Sequence, residues 1–402
     1  MIKRSDFPIL HKKIKGQTMV YFDNAATMQK PRSVIKATSE YYEKYNANVH
    51  RGLNPLATEA TRRYEEARDI VARFVNAYRE EIIFTRGTTE SINLVARTWG
   101  EENLKPGDIV VLSLAEHHAN IVPWLQLKAR KKIKIEYIPL RPDGAWNLAA
   151  AQRLLEQPRV KLLAVSQVSN VLGIVNPVAS LIKLARKRKI ITLIDAAQSI
   201  AHLEVDVRSM DCDFLAFSGH KIGGPTGIGV LYGRRALLEK MPPFLGGGDM
   251  ISSVTTQTFS VNELPYKFEA GTPNIAGVIG LGAVCRYLEK LGHRDIELQE
   301  KKLAAYFLHK IKKLDFIRVL GSAQPKLPVF SLVISGVHPH DASDLLGQEG
   351  IILRAGHHCA QPLHDFFGES ASLRASLSFY NTTAEIDFFI ARLRELHTAF
   401  NS

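Results

Sequence analysis

From about residue 80 the chain repeats one texture: a short run of consecutive apolar residues, then a longer stretch whose apolar positions recur with helical spacing. Seven runs predict strands: EIIF at 81–84, DIVVLS at 108–113, KIEYIPL at 134–140, VKLLAVS at 160–166, KIITLID at 189–195, DFLAFS at 213–218 and GIGVLY at 227–232. Amphipathic segments such as SLIKLARKRK fill most of the gaps and predict helices. Alternation of this kind is the pattern of an α/β unit with a largely parallel sheet.

After about residue 275 the texture changes. GVIGLGAVCRYLEKLG and the basic stretch behind it predict long helices, VFSLVIS a strand, and TTAEIDFFIARLRELHTAF a closing helix. Thr382 and Glu385 form a capping box for that last helix, and Ile386, Phe389, Ile390 and Leu393 fall on one face. The expected division is a large unit over residues 18–285 and a smaller α+β unit over 286–402, with residues 1–17 packing on the smaller one.

A chain of 402 residues, 46% hydrophobic and 23% charged, can bury a sizeable core. No run approaches the roughly 18 uninterrupted apolar residues of a membrane helix, and no export signal opens the chain. Three cysteines, Cys212, Cys285 and Cys359, are an odd set without paired spacing, which argues for a reducing, cytoplasmic compartment. A net charge of +12 raises nucleic-acid binding, at KARKKIK (128–134), ARKRK (185–189) and HKIKK (309–313). These clusters lie apart, lack interleaved aromatics, and two sit at predicted helix ends where the dipole favours cations, so no nucleic-acid partner is predicted.

Two strand ends carry chemistry. ITLIDAAQS places Asp195, and LAFSGHKIGGPTGIG places Lys221, at the carboxyl ends of strands, where open α/β sheets bind ligands. A shielded carboxylate needs a cationic or protonated partner. Pyridoxal phosphate accounts for both residues, since it bonds a lysine amine and sets its pyridinium nitrogen against an acid. Its phosphate needs a cradle, which Thr88 and Thr89 of IIFTRGTTESINLVA supply by opening a predicted helix after a strand. Ser218 and His220, flanking Gly219, add donors. Singly, a lysine after a strand is an ordinary turn residue and an aspartate there an ordinary helix cap; together they favour a cofactor site.

LAEHHANIVPW sets His117 and His118 just past another strand, and an imidazole there can lie on a pyridine ring and shuttle protons. A metal site from His117, His118, His357, His358 and Cys359 is disfavoured, because adjacent histidines diverge and no CxxC or HxxxH spacing closes a ligand set. No metal is predicted.

The motifs RGTTESINLVA, AEHHANIVPW, VSNVLG, DAAQS, SGHKIGGPTGIGVLYG, FEAGTPN, RAGHHCAQPL and LRASLSFYNT, in this order over nearly the whole chain, resemble those of group II cysteine desulfurases. These are class V aminotransferase-fold enzymes of the Suf type, with selenocysteine lyases and cysteine sulfinate desulfinases as near relatives. The resemblance implies a homodimeric fold-type I pyridoxal phosphate enzyme with a seven-stranded, mostly parallel sheet and a smaller C-terminal α+β domain. It implies Lys221 as the Schiff-base lysine, Asp195 at the pyridine nitrogen, Gln198 at the ring hydroxyl and His117 stacked on the ring. Thr88, Thr89, Ser218 and His220 would hold the phosphate, joined by Thr272 from the partner subunit. Arg374 would grip the substrate carboxylate with help from Asn170, and Arg354, His50 and Arg51 would also line the pocket.

On the same basis Cys359 would attack the sulfur of bound L-cysteine, release alanine and keep a persulfide, after His117 or Lys221 has moved the Cα proton. A nucleophile of this kind must be accessible and near positive charge, here Arg354 and the neighbouring histidines. The short run Leu353–Cys359 resembles the compact cysteine loop of group II, whose persulfide passes to an acceptor protein of the SufE or SufU kind for iron–sulfur cluster assembly. Cys212 and Cys285 read as buried and inert. One departure stands out: Ile222-Gly223-Gly224 replaces a bulkier pair after the lysine, which bears on the pocket wall and its stiffness.

Overall fold

The computed structural model describes residues 3–401; Met1 and Ile2 of the N-terminal segment and Ser402 of the smaller predicted unit lie outside the described residues. All seven predicted strands form, as one sheet in the spatial order Ile82–Thr85, Gly229–Gly233, Phe214–Ser218, Ile191–Asp195, Val160–Ser166, Ile109–Ser113, Lys134–Ile138. Gly229–Gly233 runs antiparallel to both neighbours, and the other observed pairings are parallel. The runs are continuous because both faces are covered. Ile109 and Val111 pack into one apolar layer with Ile70, Leu163 and Ile194, while Val110 and Leu112 face a second layer with Ile92, Trp124 and Leu162.

The helix Ile275–Leu291 is unbroken through residue 285 and lies against the helices Arg32–Lys44 and Pro55–Phe74, with Leu288 in the core of the larger unit. Gly282 allows this contact: a Cβ there would stand 2.8 Å from the Cβ of Ala67.

A second, antiparallel sheet has the order Ile317–Val319, Val329–Ile334, Ser372–Ser376, Arg354–Gly356. The helices His293–Ile311, Pro339–Gln348 and Thr383–Asn401 cover it around Phe307, whose ring stacks on Phe330 at 4.4 Å and on Phe389 at 6.0 Å. The capping box forms as read: Glu385 accepts from the Thr382 amide at 2.8 Å, and Thr382 Oγ1 accepts from the Glu385 amide at 3.2 Å. Ile386, Phe389, Ile390 and Leu393 are all buried.

The N-terminal segment packs on residues between 286 and 402. Arg4 pairs with Glu385 at 2.9 Å, and the Phe7 ring meets Tyr380 at 4.5 Å and Tyr287 at 5.9 Å. Val20–Tyr21 then pairs in parallel with Ile351–Ile352, which carries the chain past the second sheet and sets Asp23 beside Ser376.

Candidate active site

Three strands of the large sheet end in polar residues at one edge: Ser166, Asp195 and Ser218. Together with Arg354, His358, Cys359 and Arg374 from the second unit they line a cavity of about 480 Å³. That volume lies within the range of pockets that bury a small ligand.

On one wall the helix Thr88–Val95 begins. The Thr88 amide donates to Ser218 Oγ at 2.8 Å, and the two hydroxyls lie 2.8 Å apart, so strand end and helix start are tied together. Bare backbone makes this possible, since a Cβ on Gly229 would come within 2.4 Å of Gly87 Cα. Thr89 lines the cavity within the first helical turn, where amides lack intrahelical partners and the dipole favours an anion. Burial, with Lys221 and Lys30 nearby, pushes His220 down to about 4, leaving it neutral and able to donate one N–H.

At the floor, Asp195 is buried and Oδ1 accepts from the Ala197 amide at 2.8 Å. It faces the cavity, and it closes the turn that follows the strand rather than capping a helix, since residues 197–202 form turns. Burial raises its pKa, and among the described residues it makes no ion pair within salt-bridge distance. Lys221 is recessed in the same cavity; burial lowers its pKa from 10.5 to about 8, with Asp195 pulling the other way. Gln198 is anchored by donating to Ala25 O at 2.8 Å.

A buried acid without an ion-pair partner, an amine whose pKa burial lowers to about 8 and a helix-start cradle are complementary to pyridoxal phosphate, whose ring nitrogen, aldehyde and phosphate need these three partners. The residues present therefore fit the group.

His117 lines the cavity too. Its Nδ1 accepts from the Ala119 amide at 3.0 Å, and burial followed by the charge of Lys221 lowers its pKa to about 3. The ring is neutral, so Nε2 carries its proton.

Arg374 is buried on the strand Ser372–Ser376; it donates through Nη1 to Asn170 O at 3.0 Å and through Nη2 to Asp23 Oδ1 at 3.2 Å. Burial lowers its pKa, with Asp23 opposing. Arg354 reaches the same Asp23 carboxylate at 2.9 Å. Asp23 thus separates two guanidinium groups that would otherwise repel, a role the sequence reading missed. Its signal was present in YFDNAAT, an acid at the end of an apolar pair, but both partners lie more than 300 residues away. Glu116 was missed as well: buried, raised to about 7 by desolvation, it accepts from Ser113, Asn120 and the Ser166 amide and joins two strand ends behind His117.

Cys359 is exposed at the cavity edge, and both His358 and Cys359 have left-handed backbone, with φ of +52° and +57°. Three clamps hold that turn. The Asn170 Nδ2 donates to His358 O at 2.7 Å, the His118 amide donates to Cys359 O at 2.7 Å, and the Gln361 amide donates to His118 Nε2 at 3.1 Å.

Some residues sit otherwise than expected. Asn170 lines the cavity, but its side-chain amide donates to the His358 carbonyl of the cysteine turn, and its backbone oxygen accepts from Arg374. His50 and Arg51 do not line the cavity within one chain: His50 is held by Glu65 at 2.9 Å between Tyr64 and Tyr266, and Arg51 pairs with Asp249 at 2.6 Å. Thr272, expected to act from a partner subunit, is exposed and lies outside the cavity of its own chain. Gly223 and Gly224 form no pocket wall; a Cβ at Gly223 would meet Gln29 O at 3.1 Å and one at Gly224 would meet Gly219 O at 2.9 Å, so they allow close packing beneath the lysine turn.

Cys212 and Cys285 are buried as expected, the first thiol pushed up to about 12 by desolvation and the second further.

The aminotransferase class-V family profile matches residues 20–389. A protein named cysteine desulfurase from Klebsiella pneumoniae strain 342 is 47% identical over 396 residues, covering 98% of this chain and 97% of that protein. A probable cysteine desulfurase of Xylella fastidiosa strain 9a5c is 46% identical over 390 residues, 97% of this chain and 94% of that protein. Among solved structures, the apo cysteine desulfurase of Thermococcus onnurineus NA1 superposes with a TM-score of 0.94 at 41% identity, covering 98% of this chain and 97% of that one. The cysteine desulfurase CsdA of Escherichia coli gives 0.90 at 40% identity, with 98% of each chain covered. By fold, by the full span of the match and by the arrangement of its cavity, the chain belongs to the aminotransferase class-V family.

Proposed function

We propose that the chain is a pyridoxal phosphate-dependent cysteine desulfurase that converts L-cysteine to L-alanine and keeps the sulfur as a persulfide on Cys359. The observation that carries this reading is one cavity holding Lys221, Asp195 and Arg374 with an exposed thiol clamped at its edge.

Asp195, Gln198, Thr88, Thr89, Ser218, His220 and Lys221 are the residues that would hold the cofactor. Bound there, pyridoxal phosphate supplies an electron sink for charge developing at the substrate Cα and Cβ. Arg374 binds the substrate carboxylate, its guanidinium fixed by Asn170 O and Asp23. Lys221 Nζ takes up and returns the Cα proton. With a pKa of about 8, about a tenth of this amine is neutral at pH 7. His117 is unsuited to that task because Nδ1 is occupied by the Ala119 amide and Nε2 already carries hydrogen, which leaves the ring as a flat neutral donor. Cys359 Sγ bonds to the substrate sulfur as the substrate's C–S bond breaks, so that cysteine and the thiol become alanine and a persulfide.

The finer assignments follow from the same residues. We infer a homodimer in which Thr272, His50 and Arg51 serve the cavity of the second copy, which accounts for their absence from their own. Exposed apolar residues on the hairpin Ile251–Val254 and Phe259–Val261, namely Val254 and Phe259, suit such a contact. The short clamped turn requires an acceptor protein of the SufE or SufU kind to bring its own thiol to Cys359, and iron–sulfur cluster assembly in the cytoplasm is the destination we assign. Replacement C359S tests the reading: alanine formation from L-cysteine falls about a hundredfold or more with the cofactor still bound. Undiminished alanine formation would remove the persulfide from the mechanism and favour lyase or desulfinase chemistry.

A further inference from the structure

One short segment, residues 23–30, touches both halves of the cavity. Asp23 holds Arg374 and Arg354 of the second unit, the Ala25 carbonyl accepts from Gln198, and Ala25 and Ala26 line the cavity itself. At its far end the segment meets the peptide bond that carries Lys221. The His220 carbonyl of that bond accepts from the Met28 amide at 3.0 Å and from Thr27 Oγ1 at 3.2 Å. Lys30 closes this end: its Nζ donates to Thr27 Oγ1 at 3.0 Å and to Met28 O at 2.6 Å. An ammonium group only donates, so Thr27 Oγ1 accepts from Lys30 and its own hydrogen is left for the His220 carbonyl. Lys30 thereby sets the direction of one bond to that carbonyl and anchors the residue that makes the other.

Stability alone does not call for a cation here. Among the described residues Lys30 has no carboxylate within salt-bridge distance, and burial lowers its pKa from 10.5 to about 8. The helix Arg32–Lys44 begins two residues later with Pro31 as its N-cap, and a helix N-terminus disfavours positive charge. Because the folded-state pKa lies below the unfolded one, the ammonium form costs stability at pH 7, and a neutral side chain of similar length avoids that cost. Ionisable groups kept against stability gather at functional sites.

We propose that Lys30 is a positioning residue for Lys221: it locks Thr27 and Met28 onto the His220 carbonyl and so fixes where the Lys221 side chain enters the cavity. This rests on the assignment of Lys221 as the amine that bonds the cofactor and moves the Cα proton. There is no slack to absorb a shift, since a Cβ on Gly223 would come within 3.1 Å of Gln29 O, and a displacement of residues 27–30 therefore reaches the lysine turn directly. Lys30 acts on the lysine end only. Arg374 is held at the other end of the segment by Asp23 and by Asn170 O, so the grip on the substrate carboxylate does not depend on it.

The test compares cofactor-loaded variants at pH 7. Lys30→Met keeps the length of the side chain and removes both of its bonds; Thr27→Val removes the hydroxyl at similar volume, and Thr27→Ser keeps it. Lys30→Met and Thr27→Val are each expected to lower kcat for alanine formation about tenfold with KM for L-cysteine unchanged, and to weaken the visible circular dichroism per bound cofactor, which reports how the ring is held. Lys30→Met is expected to melt no lower than the native protein, whereas a merely structural lysine would lower the melt. Thr27→Ser is expected to behave as native. The double variant Lys30→Met/Thr27→Val is expected to fall no further than Lys30→Met alone, because both changes act on one bond. Dichroism is read before substrate is added, so it tests this inference separately from the desulfurase reading. Any of three results overturns the proposal: native kcat and dichroism in Lys30→Met, a lowered melt with kcat and KM changed together, or a double variant whose loss is the product of the two single losses.

Discussion

The backbone amide of His118 donates to the carbonyl oxygen of Cys359 at 2.7 Å, and the His118 ring accepts from the Gln361 amide two residues further on. A residue at the end of one sheet's connection thereby holds the reactive turn of the other unit in left-handed backbone. Such backbone persists only where its surroundings impose it.

His118→Ala removes the ring acceptor and keeps the backbone clamp. The loss of one partly buried hydrogen bond, about 1 kcal/mol, is expected to raise amide exchange at Gln361 about fivefold, with little change in overall stability. Hydrogen exchange on the peptide spanning residues 357–367 measures it; native protection there would mean the ring does not hold the turn.

Asp23→Asn leaves Arg374 buried beside Arg354 without its carboxylate. Breaking a buried pair from one side costs about 3 kcal/mol or more, so a lowered melting temperature and a raised KM for L-cysteine are expected together. Arg354→Ala, which removes the exposed partner only, is expected to affect melting far less, since its side chain is half exposed. Thermal melts and steady-state kinetics on both variants check the contrast.

Lys221 must be neutral to bond the cofactor aldehyde. Because burial sets its pKa at about 8, the rate of cofactor uptake by apoprotein is expected to rise about tenfold per pH unit below 8 and to level off above it. Asp195 favours the charged amine, so Asp195→Asn lowers the pH at which uptake levels off. Visible absorbance after mixing with pyridoxal phosphate follows the rate; a midpoint near 10 would mean that the amine is solvated.

Alkylation of the folded protein is expected to place one label per chain, on Cys359. Desolvation holds Cys212 and Cys285 protonated and inaccessible, whereas Cys359 is exposed. Peptide mapping after iodoacetamide decides it, and label on either buried thiol in native protein would contradict the packing.

What was legible in the sequence was what depends on near neighbours. The seven strands announced themselves because both faces are buried, and Thr382 with Glu385 announced a helix start because the box spans three residues. Lys221, Asp195 and Thr88 stood at strand ends, where a strand-to-helix turn exposes its last residues to a ligand. Asp23 was not legible as a partner of Arg354 and Arg374, nor Ser372 as a link between two histidines, because those contacts depend on how the second unit docks. Local pattern likewise could not tell that Asn170 would turn to the His358 carbonyl, or that His50 would settle on Glu65 in its own chain.

The central claim is that sulfur leaves L-cysteine for the thiol at the edge of this cavity. Mass spectrometry of the cofactor-loaded protein after brief exposure to L-cysteine, without reductant, tests it most directly. The account predicts one additional sulfur atom on the peptide containing Cys359, none on those containing Cys212 or Cys285, and alanine in equal amount. Alanine without sulfur on Cys359, or sulfur carried on another residue, would contradict it.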